Sequence, residues 1–294
     1  MERKFPVNRK VNISCVQMQP HAADYEYNLK KMEGFVGSVM RGRPETDLIV
    51  FPELATTGYV CTNEEFDAMT RTAAEDPSVK RLGALAARYG VMLIFGFSER
   101  DPEDPSVLYN AAAVLGKDGS LMGTYRKVHP FLNEKKWCTA GSAYPLFDTD
   151  FGRIGVMICW DTAFPEVART YALKGCDLLV VCTNWEITES EEWPMDTAAD
   201  WDLVTRARAF DNTLHLVSAN RVGSDRGLGF FGHSNIIDPV GKVITSLDEP
   251  VEGVIHAELD LSLTQKRRRE YYTILADRRP DTYGALTEPI DKNF

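Results

Sequence analysis

Three reactive side chains share one sequence context. Glu53 follows the apolar run Ile49-Val50-Phe51-Pro52, Lys127 follows Gly123-Thr124-Tyr125-Arg126, and Cys159 closes Gly155-Val156-Met157-Ile158. Each stands at the end of a strand-like segment, where α/β proteins place ligand sites. Together they are a complete set for acyl transfer. The thiol attacks a carbonyl or nitrile carbon. The carboxylate takes the thiol proton and later protonates the leaving amine. The ammonium lowers the thiol pKa and stabilises the oxyanion. Backbone N–H groups after Cys159, at the start of a turn into a predicted helix, are further oxyanion donors. Spacing alone also allows blander roles: a small core residue for the Cys, a cap or surface group for the Glu, an ion-paired side chain for the Lys.

Those side chains need strands to carry them, and the patterning supplies them. Strands are predicted over 11–18, 47–51 and 91–97, and helices over 25–40 and 78–89, the first from the spacing of Leu29, Met32, Val36 and Met40. Gly90 is placed to stop the second helix. Segments 109–115 and 120–125 flank Lys117-Asp118-Gly119 and predict a hairpin. The second half repeats the logic. Strands are expected over 153–159, 177–182 and 214–219, helices over 165–174 and 198–212, a hairpin of 234–238 with 242–246 about Pro239-Val240-Gly241, and a last strand over 253–260. A helix over 261–271 and an irregular tail follow. The expectation is one α/β domain over 1–294, its core about 11–260 with helix and tail over 261–294. Two halves that each hold a hairpin predict two mixed sheets face to face under outer helices, a four-layer α-β-β-α sandwich.

Composition narrows the function. The 294 residues carry 33 Lys and Arg against 43 Asp and Glu, a formal charge of −10. An acidic chain lacks the clustered cations that bind phosphates, and the basic run 266–269 spans one helical turn, so no nucleic-acid role is expected. No apolar run is long enough to span a membrane. The start, MERKFPVNRK, has no apolar signal-peptide region. The six cysteines (Cys15, Cys61, Cys138, Cys159, Cys176, Cys182) contain no C-x-x-C pair, so neither a zinc site nor a disulfide framework is expected. These features predict a cytoplasmic protein with free thiols.

At the three reactive residues the sequence resembles the nitrilase, or carbon–nitrogen hydrolase, superfamily. The matching motifs are FPELATTGY around Glu53, GTYRKVH around Lys127 and GVMICWDTAFPEVAR around Cys159. KGCDLLVVCTNW, RARAFDN, SANRVG and FFGHSNIIDPVGKV follow. The resemblance runs from about residue 11 to 260. It implies the sandwich fold, a Glu53-Lys127-Cys159 triad, no metal or organic cofactor, and homodimers or larger assemblies that pair through helices next to the Cys. Glu134, in KVHPFLNE, fits a second family glutamate that orients the substrate amide and assists the hydrolytic water. The five histidines are then not needed as base, and His129 is expected to pack and hydrogen-bond.

The resemblance also bears on which bond is cut. Nitrile-cleaving members typically follow the Cys with Trp-Glu, whereas this chain has Trp160-Asp161. That points to hydrolysis of a small amide to acid and ammonia through a Cys thioester. The runner-up is an N-carbamoyl-amine (ureido) hydrolase. A nitrilase, an acyltransferase and a non-catalytic binding protein rank lower. Carbamoyl-amino-acid hydrolases tend to place an Arg shortly after the Cys to clamp a carboxylate. Thr162 and Ala163 stand there instead. Tyr59, Phe131, Trp137, Trp160, Asn184 and Trp185 are candidate pocket residues. The stretch from Glu186 holds Glu189, Glu191, Glu192, Asp196, Asp200 and Asp202 without a Lys or Arg. It would attract a cationic substrate, or simply be a solvated loop and the acidic start of a helix.

Overall fold

Strands that are apolar on both faces need cover on both faces, and the chain provides it with two sheets and two helix layers. A computed structural model describes residues 9–187 and 197–290. In chain order the first half runs β1 (Lys10–Gln17), α1 (Tyr25–Gly42), β2 (Leu48–Val50), α2 (Asn63–Met69), α3 (Pro77–Tyr89), β3 (Met92–Arg100), β4 (Leu108–Leu115) and β5 (Leu121–Arg126). The second half runs β6 (Leu146–Asp148), β7 (Arg153–Ile158), α4 (Pro165–Leu173), β8 (Leu178–Thr183), α5 (Thr197–Asn212), β9 (His215–Asn220), β10 (Val222–Asp225), β11 (Leu228–Phe231), β12 (Ser234–Ile237), β13 (Val243–Leu247), β14 (Gly253–Asp260) and α6 (Ser262–Glu270).

The first sheet has the order β14-β1-β2-β3-β4-β5 and the second β13-β12-β9-β8-β7-β6. Each has three parallel central strands with antiparallel partners outside them. Side chains alternate across each strand. Val50, Ile94 and Val114 of the first sheet meet Val156, Ile158 and Val180 of the second in one buried cluster. The intervening residues Ile49, Phe51, Leu93 and Phe95 pack instead on Leu29, Met32, Leu82 and Ala86 of α1 and α3. Met157, Leu179, Val181 and Leu216 likewise meet Val167, Tyr171, Trp201 and Ala209 of α4 and α5. The architecture is the expected four-layer sandwich of two mixed sheets.

Local chemistry explains the helix limits. Asp24 caps α1 by accepting from Tyr27 N, and Asp76 caps α3 ahead of Pro77 while Gly90, at φ +66°, ends it. Several elements differ from the sequence expectation. The seven-residue α2 buries only Phe66, too little for a periodic pattern, and is marked instead by the Thr62–Glu65 capping box. The β10–β11 ribbon turns through Arg226 and Gly227, both at positive φ, and is too short and glycine-rich to read as strands. The strand expected over 153–159 stops at Ile158. Cys159 begins a 3-10 turn, Cys159–Ala163.

Candidate active site

Each candidate residue stands where a strand gives way to a turn. Glu53 follows β2 after Pro52, and its main chain lies against β3 at Gly96. A Cβ at Gly96 would come within 2.4 Å of Glu53 Cα, so glycine is needed for this approach. Lys127 follows β5, its N–H donating to Asn110 O at 2.8 Å. Glu134 rides on a short 3-10 helix, Leu132–Lys136, whose start it caps by accepting from Phe131 N at 3.2 Å. Cys159 has φ +43°, a conformation that costs a non-glycine residue about 1–3 kcal/mol and persists only under outside restraint.

These side chains meet in one buried cluster. The Lys127 ammonium donates to Glu53 Oε1 and to Glu134 Oε1, each at 2.8 Å. Asn110 Nδ2 donates to Glu53 Oε1 at 2.7 Å and lies 3.5 Å from Glu134 Oε2. Asn184 holds Glu53 from both sides. Its N–H donates to Oε2 and its Nδ2 to the Glu53 carbonyl, both at 2.8 Å. Tyr59 donates its hydroxyl to Glu134 Oε1 at 2.9 Å. Asn110 carried no motif. Its signal was a lone polar residue in the apolar strand LYNAAAVL.

Burial sets the protonation states. It pushes the Glu53 carboxyl up, against the pull of Lys127, and the Glu134 charge adds to the rise. Burial opposes the Lys127 ammonium, but Glu134 and Glu53 outweigh it and hold its pKa well above the ordinary value. The Cys159 thiol is pushed well up by burial and then by Glu53, with Lys127 pulling the other way. The expected lowering of the thiol by the ammonium is therefore overruled. The resting side chain is a thiol, and a base must take its proton at the moment of attack.

A cavity of about 180 Å³ opens on Cys159, lined by Tyr59, Phe131, Trp160, Asn184, Trp185 and Glu186. An outer cavity of about 390 Å³ shares Tyr59, Phe131 and Glu186 and adds Glu134 and Trp137. Trp137 thus stands on the outer cavity, its ring stacked on Phe66 at 3.8 Å, while the other expected pocket residues face the cysteine. A larger groove of about 870 Å³ beside α4 and Tyr271–Tyr272 contains none of the candidate residues. Among the described residues no three His, Cys, Asp or Glu side chains group as metal ligands, and no helix is long and apolar enough to cross a membrane.

The chain is similar to known proteins along most of its length. A family model for carbon-nitrogen hydrolases matches residues 12–269. The chain belongs to the carbon–nitrogen hydrolase family. A probable nitrilase of Schizosaccharomyces pombe is 51% identical over 280 residues, covering 95% of this hydrolase and 100% of the relative. An N-carbamoylputrescine amidase of Arabidopsis thaliana is 32% identical, covering 82% of this chain and 84% of that one. The crystal structure of a carbon-nitrogen hydrolase from Helicobacter pylori G27 superimposes with a TM-score of 0.88 at 28% identity, covering 96% and 99% of the two chains.

The hydrolase restrains its strained cysteine with Asp161. This buried carboxylate accepts from Ile158 N at 3.1 Å and Tyr125 Oη at 2.6 Å on one oxygen. The other oxygen accepts from His129 N at 3.0 Å, with His129 Nδ1 at 2.8 Å. Asp161 so ties the segment leaving Lys127 to the turn that begins at Cys159. His129 itself stacks on Phe164 at 3.9 Å, the packing role expected of it. Asp161→Asn turns an amide N–H₂ toward those donors. We expect a stability loss of about 2–4 kcal/mol and a fall in kcat exceeding any change in KM. A wild-type melting curve together with wild-type kcat would show that the tie does not hold the turn.

The remaining expectations fall as follows. Glu186 lines both cavities. Asp200 is exposed in the first turn of α5 and Asp202 is half-buried, 3.7 Å from His233. Glu189, Glu191, Glu192 and Asp196 lie outside the described residues. Among the described residues no Arg lines the cavity at Cys159 in place of the one missing after the cysteine. Arg208 reaches that turn from α5 but donates to the carbonyls of Thr162 and Ala163 at 2.8 and 3.0 Å.

Proposed function

We propose that Glu53, Lys127, Cys159 and Glu134 hydrolyse a small linear amide to acid and ammonia through a thioester on Cys159. The observation that carries this reading is the buried ammonium, bonded to two carboxylates beside a cysteine held at positive φ. Glu53 takes the thiol proton as Sγ attacks the amide carbon. An ammonium has three N–H donors. Two are engaged by Glu53 and Glu134, which leaves the third for the oxyanion, beside a main-chain N–H of the turn starting at Cys159. Protonated Glu53 then gives its proton to the departing nitrogen, and ammonia leaves as the C–N bond breaks. Water enters, Glu53 takes its proton, and hydroxide attacks the thioester. The tetrahedral adduct expels the thiolate, which regains the proton from Glu53 as the acid leaves. Glu134, fixed by Tyr59, Phe131 N and Lys127, orients the amide N–H₂ and then the water. Tyr59, Trp160, Asn184 and Trp185 shape the inner pocket, and Trp137 the outer.

A second reading has the same centre cleave an N-carbamoyl amine. Its support is the similarity to a relative named as an N-carbamoylputrescine amidase. Nitrile cleavage, the activity in the name of the S. pombe relative, sits less well with Trp160-Asp161. The reading further takes the enzyme to be cytoplasmic, supported by six unpaired cysteines. It also takes it to be a homodimer or larger assembly, supported by a wide groove beside α4 with Tyr271 exposed. An assay of ammonia release over length-matched amides, carbamoyl amines and nitriles separates the chemistries. Amide turnover is expected, with the acyl mass found on the peptide containing Cys159. Carbon dioxide release from the carbamoyl series alone would favour the second reading. Turnover confined to nitriles would reject both.

A further inference from the structure

We propose that Glu186 selects substrates whose end remote from the scissile bond carries an alkylammonium cation. The proposal rests on the hydrolase reading for which bond is cut, though not for where the cation sits. The cavity that opens on Cys159 is walled by the rings of Tyr59, Phe131, Trp160 and Trp185, and among the described residues Glu186 is the one formally charged group in its lining. Three of the rings form a continuous set, with Phe131 and Trp160 centroids 4.8 Å apart and Trp160 and Trp185 5.9 Å apart. Aromatic faces attract cations, and a carboxylate among them completes a site for one.

The Glu186 backbone is anchored independently of its side chain. It bridges Phe230 of β11, and the next residue donates from Ile187 N to Gly229 O at 2.8 Å. The carboxylate is half-buried, and the influences on its proton among the described residues are burial and the negative charge of Glu134, with no cation opposing them. Two buried arginines of the second half are engaged elsewhere. Arg208 holds the carbonyls of the cysteine turn, and Arg221 is buried, donating to Pro20 O and stacked over Phe230 at 4.1 Å. Lys136 lines only the outer cavity. Around the cysteine, Glu53 and Glu134 outnumber Lys127, and Glu134 shares the outer cavity with Glu186, so a substrate carboxylate would meet further negative charge where a cation meets attraction.

The volume fits this division. About 180 Å³ is room for an acyl group with a short methylene chain, and Glu186 lines both this cavity and the neighbouring one.

The test uses three amides of equal length: 4-aminobutanamide, pentanamide and glutaramate, which are cationic, neutral and anionic. In the unmodified enzyme kcat/KM should favour the cation over the neutral amide by about tenfold or more. In Glu186→Gln that ratio should approach one, mainly through KM, and in Glu186→Lys glutaramate should become the preferred substrate. A binding measurement free of turnover runs alongside. With Cys159→Ala protein, calorimetry should show butylammonium binding at least about tenfold tighter than 1-butanol, and Cys159→Ala/Glu186→Gln should abolish the difference. Equal binding of the two probes, or a preference that survives in the double variant, overturns the proposal even if amides are hydrolysed. Should the cation bind through Glu186 while no amide or carbamoyl compound turns over, the hydrolase reading fails and the cation site stands.

Discussion

Cys159→Ala will lower kcat for the best amide by at least about 10⁴-fold while leaving the fold intact. Cys159 is 5% exposed and its side chain is small. Removing one sulfur therefore leaves little void, and the melting temperature should move by only a few degrees. What disappears is the atom that forms the thioester. The arrangement offers no substitute. Two other cysteines feel the charges of the cluster and neither is a ready nucleophile: Cys182 is fully buried, which pushes its thiol well up, and burial pushes the Cys138 thiol up to about 12. Mass spectrometry on quenched reactions should show an acyl adduct with the unmodified enzyme and none with the variant. An adduct on another residue, with activity retained, would move the nucleophile elsewhere.

Lys127→Met will cost both activity and stability. The ammonium is fully buried with Glu53 and Glu134 at 2.8 Å. Removing one partner of such a cluster leaves uncompensated buried charge, at a cost of about 3–5 kcal/mol. The oxyanion also loses its cationic donor, worth about 10²–10³ in kcat. The loss of stability will depend on pH. Burial already raises the Glu53 carboxyl, and without the ammonium only neutral donors such as Asn110 oppose that rise. A carboxyl whose folded pKa lies above its unfolded value contributes stability that is complete below the unfolded value, near 4.3, and is lost as pH rises through the folded one. The deficit against the unmodified protein should thus be small near pH 5 and largest near pH 8. Lys127→Met/Glu134→Gln should recover part of the stability and none of the activity. Denaturant titrations at the two pH values read this directly, and a deficit that does not change with pH would show that the carboxylates do not carry the charge assigned to them.

Much of this centre was legible in the sequence because strand ends are legible. Apolar runs ending in Glu53, Lys127 and Cys159 announce side chains lifted to one rim, and the two-half pattern of strands and helices carried the sandwich. Three things were not. The 3-10 turn at Cys159 could not be seen, since Asp161 within it is held by Tyr125 and His129, 36 and 32 residues earlier in the chain. Asn110 was hidden because a single polar residue in a strand has no period to betray it. Its partners Glu53 and Glu134 lie 57 and 24 residues away. The net direction of the thiol pKa was not legible, because Lys127 lowers it as expected but burial and Glu53 outweigh that pull, and burial belongs to the packed state.

The pairing of β1 with β14, from Lys10 against Asp260 to Gln17 against Gly253, has a consequence for how the protein is made. β1 leaves the ribosome long before its partner β14. At about 5–20 residues per second, the outer edge of β1 stands open for roughly ten to fifty seconds of translation. An open edge of that kind templates pairing with other chains. Until β14 arrives, the sheet from which Glu53 and Lys127 project lacks one of its outer strands. A chain cut short before residue 253 would therefore carry every catalytic side chain and still expose an unfinished sheet, making it a substrate for chaperones and proteases rather than a smaller enzyme.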